Sequence, residues 1–280
     1  MTAFTNKGCP PNVAGMTIAF FGAGKMASAL IQGLLRSGIC QPGDITAASP
    51  DPSHLKALQD STGIHVTASN SEAARAADAA ILCVKPKEAA AALAQASPEL
   101  DGKLLLSIAA GLRLSTLKKS APASRIVRAM PNTPALVGKS ATAYAAAPEA
   151  TALDIAMVER IFSSIGEVHA VEENLIDAVT AVSGSGPAYI FLVIEAMTEG
   201  GIRCGLPASL AQRLAIQTVA GAGELCLQTG EDPATLREMV TSPGGTTAAA
   251  LATLEKHGVR SAFIEAIQAA ERRAVELSGE

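Results

Sequence analysis

Residues 20–27 read FFGAGKMA, which places the pattern Gly-x-Gly-x-x-Ala between an apolar run and an amphipathic stretch. Gly22 permits a tight turn, and Gly24 lets a bound group approach the backbone closely. Ala27 is small enough for the following helix to pack against the strand. The free N–H groups and the dipole at the start of that helix favour an anion. The stretch therefore predicts a strand, turn and helix that bind the diphosphate of a dinucleotide; a strand–turn–helix without a ligand is the alternative.

Outward from this motif, short apolar runs alternate with amphipathic stretches. The apolar runs cover residues 16–21, 45–48, 79–84, 104–108 and 125–130, and a weaker pair covers 140–146 and 166–171. Helical stretches lie between them, around residues 26–36, 52–59, 86–96 and 115–119. Continuous apolar strands separated by helices are typical of a parallel sheet that is covered on both faces. The pattern predicts an α/β fold with an N-terminal Rossmann-type doubly wound sheet.

After residue 177 the strand signals stop and the pattern becomes helical. Helices are expected at residues 189–202, 208–227, 233–240, 248–255 and 260–277, with glycine and proline at the joins between them. We therefore expect a flexible extension at residues 1–14, a dinucleotide-binding domain at 15–172, and an all-helical C-terminal domain for substrate binding and dimerisation at 173–280. The helical domain is rich in alanine and lacks large aromatic anchors, so we expect it to complete its core in a homo-oligomer.

The composition argues against several classes of protein. The formal net charge is −4 with the two signs interspersed, which argues against a nucleic-acid partner. Five cysteines without C-x-x-C spacing and four scattered histidines indicate reduced thiols and no metal site. The longest candidate for a membrane span, residues 178–194, contains Ser-Gly-Ser-Gly-Pro and is not expected to continue as one helix. Because residues 1–14 lack a signal-peptide pattern, we expect a cytoplasmic enzyme with a small-molecule substrate and no membrane partner.

The end of the second apolar run bears on the choice of dinucleotide. An Asp or Glu there would bind the ribose diol and repel a 2′-phosphate. Ala48 and Ser49 occupy that place, and Asp51 follows only after a proline. Ser49 can donate to a phosphate, and His54 and Lys56 lie within two helical turns, although no Arg follows. The segment favours NADPH and leaves NADH as the alternative.

Two further segments follow predicted strands, where a doubly wound sheet opens its ligand crevice. Cys83-Val84-Lys85-Pro86 ends the run at 79–84, and Lys85 is either a cofactor contact or an ordinary solvated lysine before a helix. Met130-Pro131-Asn132-Thr133-Pro134 contains two prolines that make a rigid loop. That loop either lines the nicotinamide or joins two domains.

Two glycine-containing segments open helices in the second half of the chain. Ser242-Pro243-Gly244-Gly245-Thr246-Thr247 exposes backbone N–H groups and two hydroxyls, which suits a carboxylate. A capped helix start is the plainer interpretation. Ser183-Gly184-Ser185-Gly186-Pro187 allows close helix crossing, so a packing role there is as well supported as ligand contact.

These motifs together resemble the pyrroline-5-carboxylate reductase family from residue 16 to residue 277. The resemblance is carried by residues 21–27, 84–86, 107–111, 130–134, 183–189 and, most specifically, 240–255, which read VTSPGGTTAAALATLE. It implies reduction of L-1-pyrroline-5-carboxylate to L-proline, the last step of proline biosynthesis. It also implies dimers that assemble into a decamer through the helical domain.

The resemblance also implies roles for individual residues. The implied cofactor contacts are Phe21, Gly22, Ala23, Gly24, Lys25 and Met26 at the diphosphate, Ser49 and Asp51 at the adenosine ribose, Asn70 as a further contact, and Cys83, Val84, Lys85, Pro86, Ile108, Ala109 and Ala110 at the nicotinamide half. Glu173, Thr246 and Thr247 are implied to line the substrate, beside the carboxylate cradle at Gly244 and Gly245. The chain departs from the family in its extra residues before Met16 and at Met239, where some relatives carry a polar residue.

The chemistry of a cyclic imine needs little from the protein beyond orientation. A protonated imine is already a strong electrophile, so the enzyme has to hold C=N against the hydride donor. The Thr247 hydroxyl is expected to bond the ring nitrogen as an orienting group and proton relay. A β-hydroxyacid dehydrogenase is the nearest alternative, but it would place a lysine in the helical domain, and no lysine lies between Lys139 and Lys256. A nucleotide-sensing protein without turnover is the other alternative.

Overall fold

The computed structural model describes residues 15–279, so the extension expected at 1–14 lies outside the described residues. The first part of the chain alternates strands and helices. Its elements are β1 (Ile18–Phe21), α1 (Lys25–Arg36), β2 (Ile45–Ala48), α2 (Pro52–Thr62), β3 (His65–Thr67), α3 (Asn70–Arg75), β4 (Ala79–Leu82), α4 (Pro86–Ala96), β5 (Leu104–Ser107), α5 (Leu114–Ser120), β6 (Arg125–Met130), β7 (Ser140–Ala146), α6 (Ala152–Ser163), β8 (Gly166–Ala170) and α7 (Ile176–Val179).

The second part of the described chain is helical. It contains α8 (Gly186–Arg203), α9 (Ala208–Thr229), α10 (Pro233–Met239), α11 (Thr246–Lys256) and α12 (Val259–Leu277). By internal contacts the chain forms two compact units. The first comprises the described residues up to Gly184 and those from Glu271 onward, and the second is Ser185–Ala270.

The sheet of the first unit has eight strands in the order β3-β2-β1-β4-β5-β6-β7-β8. The strands from β3 to β6 are parallel, β7 runs antiparallel to β6, and β8 is parallel to β7. Strands β2 and β3 lie on one side of β1, and β4 to β8 lie on the other side. The strand order therefore changes direction at β1, which is the switch point where such sheets bind ligands. The predicted fold class, a Rossmann-type sheet followed by a helical region, is confirmed.

Strand β1 shows why its sequence is continuously apolar. Ile18 and Phe20 belong to one buried cluster, whereas Ala19 and Phe21 belong to another on the opposite face of the sheet. Alternate side chains of a strand point to opposite faces, so a strand covered on both sides has no polar position. Strand β1 lies inside the sheet, paired with β2 on one side and β4 on the other.

Four elements have no counterpart in the sequence prediction: β3, α3, α6 and α7. Strand β3 is a three-residue edge strand with one exposed and two half-buried positions, so it lacks an apolar run. Helix α3 has only six residues and is capped by Ser69. Helix α6 begins with a capping box in which Thr151 and Asp154 bond each other's backbone N–H groups, a local signal that could have been found.

The candidate span at residues 178–194 is largely helical but is not one continuous α-helix. Helix α7 continues into a π-helical turn at Thr180–Gly184, and α8 follows after a bend at Ser185. The interruption expected at residues 183–187 therefore lies at Ser185, although more of the stretch is helical than predicted. Glu173–Arg203 is long and apolar enough to span a membrane by length and composition alone, a test that helices of soluble proteins also pass. Residues 173–184, assigned above to the second domain, group with the first unit, since Ile176 and Asp177 are buried there.

Candidate active site

The turn after β1 is shaped by Gly22, which has φ of +108°. A Cβ at this position would lie 2.9 Å from the carbonyl oxygen of Cys83, which follows β4. The Gly22 N–H donates to the Ala48 carbonyl oxygen at 2.8 Å, so the turn is bound between the ends of β2 and β4. Both the backbone conformation and the close approach require glycine here.

The second glycine of the motif leaves the start of α1 open to a ligand. Gly24 is the N-cap residue of α1 and has no side chain with which to cap it. A Cβ at Gly24 would meet no described atom within 4 Å, so the space above the helix start is free for a bound group. The first intrahelical bond runs from the Ser28 N–H to the Gly24 carbonyl oxygen, which leaves the N–H groups of Lys25 and Met26 directed at that space. This arrangement fits a diphosphate.

Two pockets open at the carboxyl ends of the strands, and both include Val84. One, of about 340 Å³, is lined on the β2 side by Gly22, Ala48, Pro50 and Asn70. The other, of about 260 Å³, is lined by Met26, Cys83, Val84, Ile108, the loop at 130–133 and Gly184. Two pockets beside one open helix start fit the two halves of a dinucleotide.

After β2, Asp51 serves as the N-cap residue of α2. Its carboxylate caps α2, accepting from the Ser53 N–H at 2.9 Å, from the Ser53 hydroxyl at 2.6 Å and from the His54 N–H at 3.4 Å. The Ser53 hydrogen bonds lower the pKa of the Asp51 carboxyl below its usual value. Ser49 is buried, and its hydroxyl accepts from the Asp51 N–H at 3.2 Å. Asn70 lines the larger pocket and donates its side-chain amide to Gln95 at 3.2 Å.

The residues implied at the nicotinamide half divide into two groups. Cys83, Val84 and Ile108 come together in the smaller pocket. Burial raises the pKa of the Cys83 thiol well above its usual value, so this sulfur stays protonated. The other four, which are not among the residues lining that pocket, are Lys85, Pro86, Ala109 and Ala110. Of these, Lys85 is exposed at the start of α4, as in the solvated-lysine interpretation, and Ala109 is buried.

Asn132 is a site residue that the sequence reasoning did not single out within its loop. It is 8% exposed and lines the smaller pocket. Its side-chain oxygen accepts from the Ala141 N–H at 3.0 Å, and its side-chain nitrogen donates to the Ser183 carbonyl oxygen at 3.0 Å. A polar amide between two prolines was the available signal. Asn132 therefore fastens the pocket loop to β7 and to the π turn.

Glu173, implied above to line the substrate, forms a hydrogen bond and an ion pair with residues of the first unit. Its carboxylate accepts from the Leu114 N–H at 2.6 Å and pairs with Arg128 at 3.5 Å. Arg128, 2% exposed, also pairs with Asp177 at 3.2 Å. The sequence reasoning missed Arg128 and Asp177, although an arginine inside the apolar run 125–130 was a visible signal.

The predicted carboxylate cradle lies at the start of α11 in the second unit. Gly244 has φ of +70°, and the N-cap residue is Gly245, which again has no side chain for capping. A Cβ at Gly245 would lie 2.5 Å from the rotatable Ser242 hydroxyl oxygen and 3.1 Å from the Ser242 carbonyl oxygen, so a side chain there would crowd the turn. Thr247 is half-buried and Thr246 is exposed, next to the open N–H groups of the first helical turn.

The described cysteines, acids and histidines show no metal centre. Within residues 15–279, no three His, Cys, Asp or Glu side chains are grouped so that they could hold a metal ion. The four described cysteines, Cys40, Cys83, Cys204 and Cys226, are free thiols. Met239, noted above as a departure, is 68% exposed in the second unit.

The chain is similar in sequence and fold to known proteins. Residues 173–277 match the family model described as pyrroline-5-carboxylate reductase dimerisation, and residues 17–111 match the one described as NADP oxidoreductase coenzyme F420-dependent. The pyrroline-5-carboxylate reductase of Synechocystis is 45% identical over 93% of this chain and 97% of its own. Two solved structures are also similar. The Coxiella burnetii pyrroline-5-carboxylate reductase has 38% identity and a TM-score of 0.89, covering 95% of this chain and 99% of its own. The Plasmodium falciparum pyrroline carboxylate reductase, solved with NADP bound, has 32% identity and a TM-score of 0.86 over the same shares.

Proposed function

The chain belongs to the pyrroline-5-carboxylate reductase family, and we propose that its first unit binds NADPH and the start of its α11 binds the imine. The activity is the NAD(P)H-dependent reduction of the C=N bond of L-1-pyrroline-5-carboxylate to L-proline, the last step of proline biosynthesis. Family membership decides against the β-hydroxyacid dehydrogenase alternative.

The cofactor assignment rests on the open start of α1 at Gly24. When bound, NADPH supplies a hydride from its nicotinamide ring. The N–H groups of Lys25 and Met26 would hold its diphosphate, and the pockets on either side would take the adenosine and nicotinamide halves. The proposed contacts are Phe21, Gly22, Ala23, Gly24, Lys25, Met26, Ser49, Asp51, Asn70, Cys83, Val84, Lys85, Pro86, Ile108, Ala109 and Ala110.

The end of β2 supports NADPH over NADH. Ala48 and the buried Ser49 stand where an acidic residue would repel a 2′-phosphate. The nearest acid, Asp51, directs its carboxylate to the backbone of α2 through Ser53 and His54. We therefore expect a lower KM for NADPH than for NADH, measured with the same preparation. A clear preference for NADH would overturn this part of the proposal.

The start of α11 suits the substrate's carboxylate. The first-turn N–H groups after Gly245 have no capping side chain from that residue, and the helix dipole favours an anion there. We assign substrate binding to Gly244, Gly245, Thr246 and Thr247, together with Glu173. The Thr247 hydroxyl would bond the ring nitrogen and orient the C=N bond. A strong general acid is not required, because the imine can be protonated in water before it binds.

The helical region supports a homo-oligomer built on a dimer. The matched dimerisation region includes exposed apolar side chains such as Phe191, Leu192 and Leu214, which an interface would cover. We further propose that the dimers form a decamer in the cytoplasm, without a nucleic-acid or membrane partner. Native mass spectrometry of the full chain would show the decamer, and a stable isolated dimer would overturn it.

The decisive experiment follows NADPH consumption at 340 nm with and without pyrroline-5-carboxylate, with chiral analysis of the product. We expect consumption only with the imine present and L-proline as the product. NADPH binding without turnover would instead indicate the nucleotide-sensing alternative.

A further inference from the structure

A cluster of charged side chains is centred on the buried Arg128 and Asp177, on segments that lead into the smaller pocket. Arg128, on β6, forms ion pairs with Glu173 at 3.5 Å and Asp177 at 3.2 Å. Arg113 reaches the other oxygen of Asp177 at 3.5 Å and donates to the Ser278 hydroxyl at 3.1 Å. Among the described ion pairs, two guanidinium groups face two carboxylates, and such pairing offsets the cost of burying Arg128 and Asp177.

The cluster joins three segments of chain that line the pocket. Arg113 ends the loop that begins at Ile108, and Arg128 lies two residues before Met130. Asp177 lies on α7, whose helical path leads through the π turn to Gly184. Each of these segments contributes a residue to the pocket wall, and the ion pairs of the cluster connect all three.

The walls themselves are in close contact, so a change in the cluster would be transmitted to the pocket. A Cβ at Gly184 would lie 2.6 Å from the terminal carbon of Met130, so the Met130 side chain packs directly against the Gly184 backbone. Asn132 donates to the Ser183 carbonyl oxygen at 3.0 Å and so connects the same two segments.

We propose that Arg128 and Asp177 are positioning residues for hydride transfer, which fix the spacing of the walls around the nicotinamide. The proposal rests on the function proposed above. Neither is among the residues lining the pocket, so they act through Ile108, Met130 and Gly184. Hydride transfer is sensitive to such spacing, since a displacement of about 1 Å can cost about 100-fold in rate.

The test compares Asp177→Asn with Asp154→Asn in the full chain. Asp154 is a matched control because it is buried and paired with Arg125 on the same strand, at 2.7 Å, but at the end of β6 away from the pocket. The measurements are kcat and both KM values, the melting temperature, and the kinetic isotope effect with NADPH deuterated at the transferred position. For Asp177→Asn we expect kcat to fall by about 10-fold to 100-fold, KM for NADPH to change by less than about threefold, and the isotope effect to rise.

The control variant should lose thermal stability while kcat per folded enzyme and the isotope effect stay at the wild-type values. If Asp177→Asn does not fold, Arg128→Lys serves instead, because lysine keeps the positive charge but lacks the forked guanidinium that pairs with both Asp177 and Glu173. An unchanged isotope effect in the variant that folds would overturn the proposal. A rise only in KM for the imine would also overturn it, because the defect would then lie in substrate binding and not in hydride transfer. Failure of the wild-type enzyme to reduce the imine would contradict the proposed function itself.

Discussion

Gly22 lies directly against the Cys83 carbonyl group: a Cβ at position 22 would be 2.9 Å from the Cys83 oxygen and 3.0 Å from its carbon. The two residues follow β1 and β4, which are neighbours at the point where the sheet reverses its order. This contact holds the loop after β1 against the end of β4, where Val84 lines both pockets. The packing of these two strands therefore sets the position of the cofactor loop.

Gly22→Ala should therefore destabilise the fold. The methyl group meets backbone atoms, and φ of +108° is strained for alanine, so we expect a loss of about 1–3 kcal/mol in the free energy of unfolding. The matched variant is Gly24→Ala, where a Cβ meets no described atom within 4 Å. It should keep wild-type stability but weaken NADPH binding by about tenfold or more, which is about 1.4 kcal/mol. Urea unfolding and NADPH fluorescence titration separate the two effects, and equal stability of both variants would contradict the prediction.

Thr247→Ala tests the proposed orienting hydroxyl. We expect kcat/KM for the imine to fall by the equivalent of one lost hydrogen bond, about 1–3 kcal/mol. Thr253→Ala is the control on the same helix, because its hydroxyl only bonds the Ala249 carbonyl oxygen at 3.1 Å. Steady-state kinetics should show that Thr253→Ala changes kcat/KM by less than about twofold. Wild-type kinetics for Thr247→Ala would remove this residue from the substrate site.

Cys83 should be chemically inert in the folded enzyme. Burial raises the pKa of its thiol, and the protonated form is a poor nucleophile. Peptide mapping after treatment with iodoacetamide at about pH 8 should find Cys83 unmodified in the native enzyme and modified once the chain is unfolded in urea. Rapid modification of Cys83 in the native state would show that its thiolate is accessible.

Ionisation of Cys40 should lower the free energy of unfolding at alkaline pH. Burial, with a smaller contribution from Asp44, raises the pKa of its thiol from 9.0 to about 11, against a lowering effect of Arg160. The unfolded chain ionises at the lower pH, so the stability linked to Cys40 is intact below pH 9 and is lost as the pH rises from 9 towards about 11. Urea unfolding across this range should show a shallower pH dependence in Cys40→Ala than in the wild type. Identical slopes would exclude Cys40 as a source of the loss.

The cofactor loop and the start of α11 could be predicted from the sequence because their signals are local. Gly22, Gly24 and Ala27 lie within six residues, and turn geometry and helix capping depend only on such near neighbours. The strands buried on both faces were equally visible, since their apolar runs are continuous. The short polar strand β3 was not, because its place at the sheet edge is set by pairing with β2.

The arrangement of the buried charges was decided by the tertiary structure alone. Arg128 meets Asp177 across 49 positions of sequence, Leu114 meets Glu173 across 59, and Asn132 meets Ser183 across 51. Each residue by itself has several suitable partners in the chain, and only the packing of α7 against β6 and β7 selects among them. The sequence alone determined the fold class, the family and the two glycine-rich helix starts, since each depends on short-range patterns. The packed structure determined which acids hold the pocket walls, because a buried charge must find its partner wherever the fold brings one close.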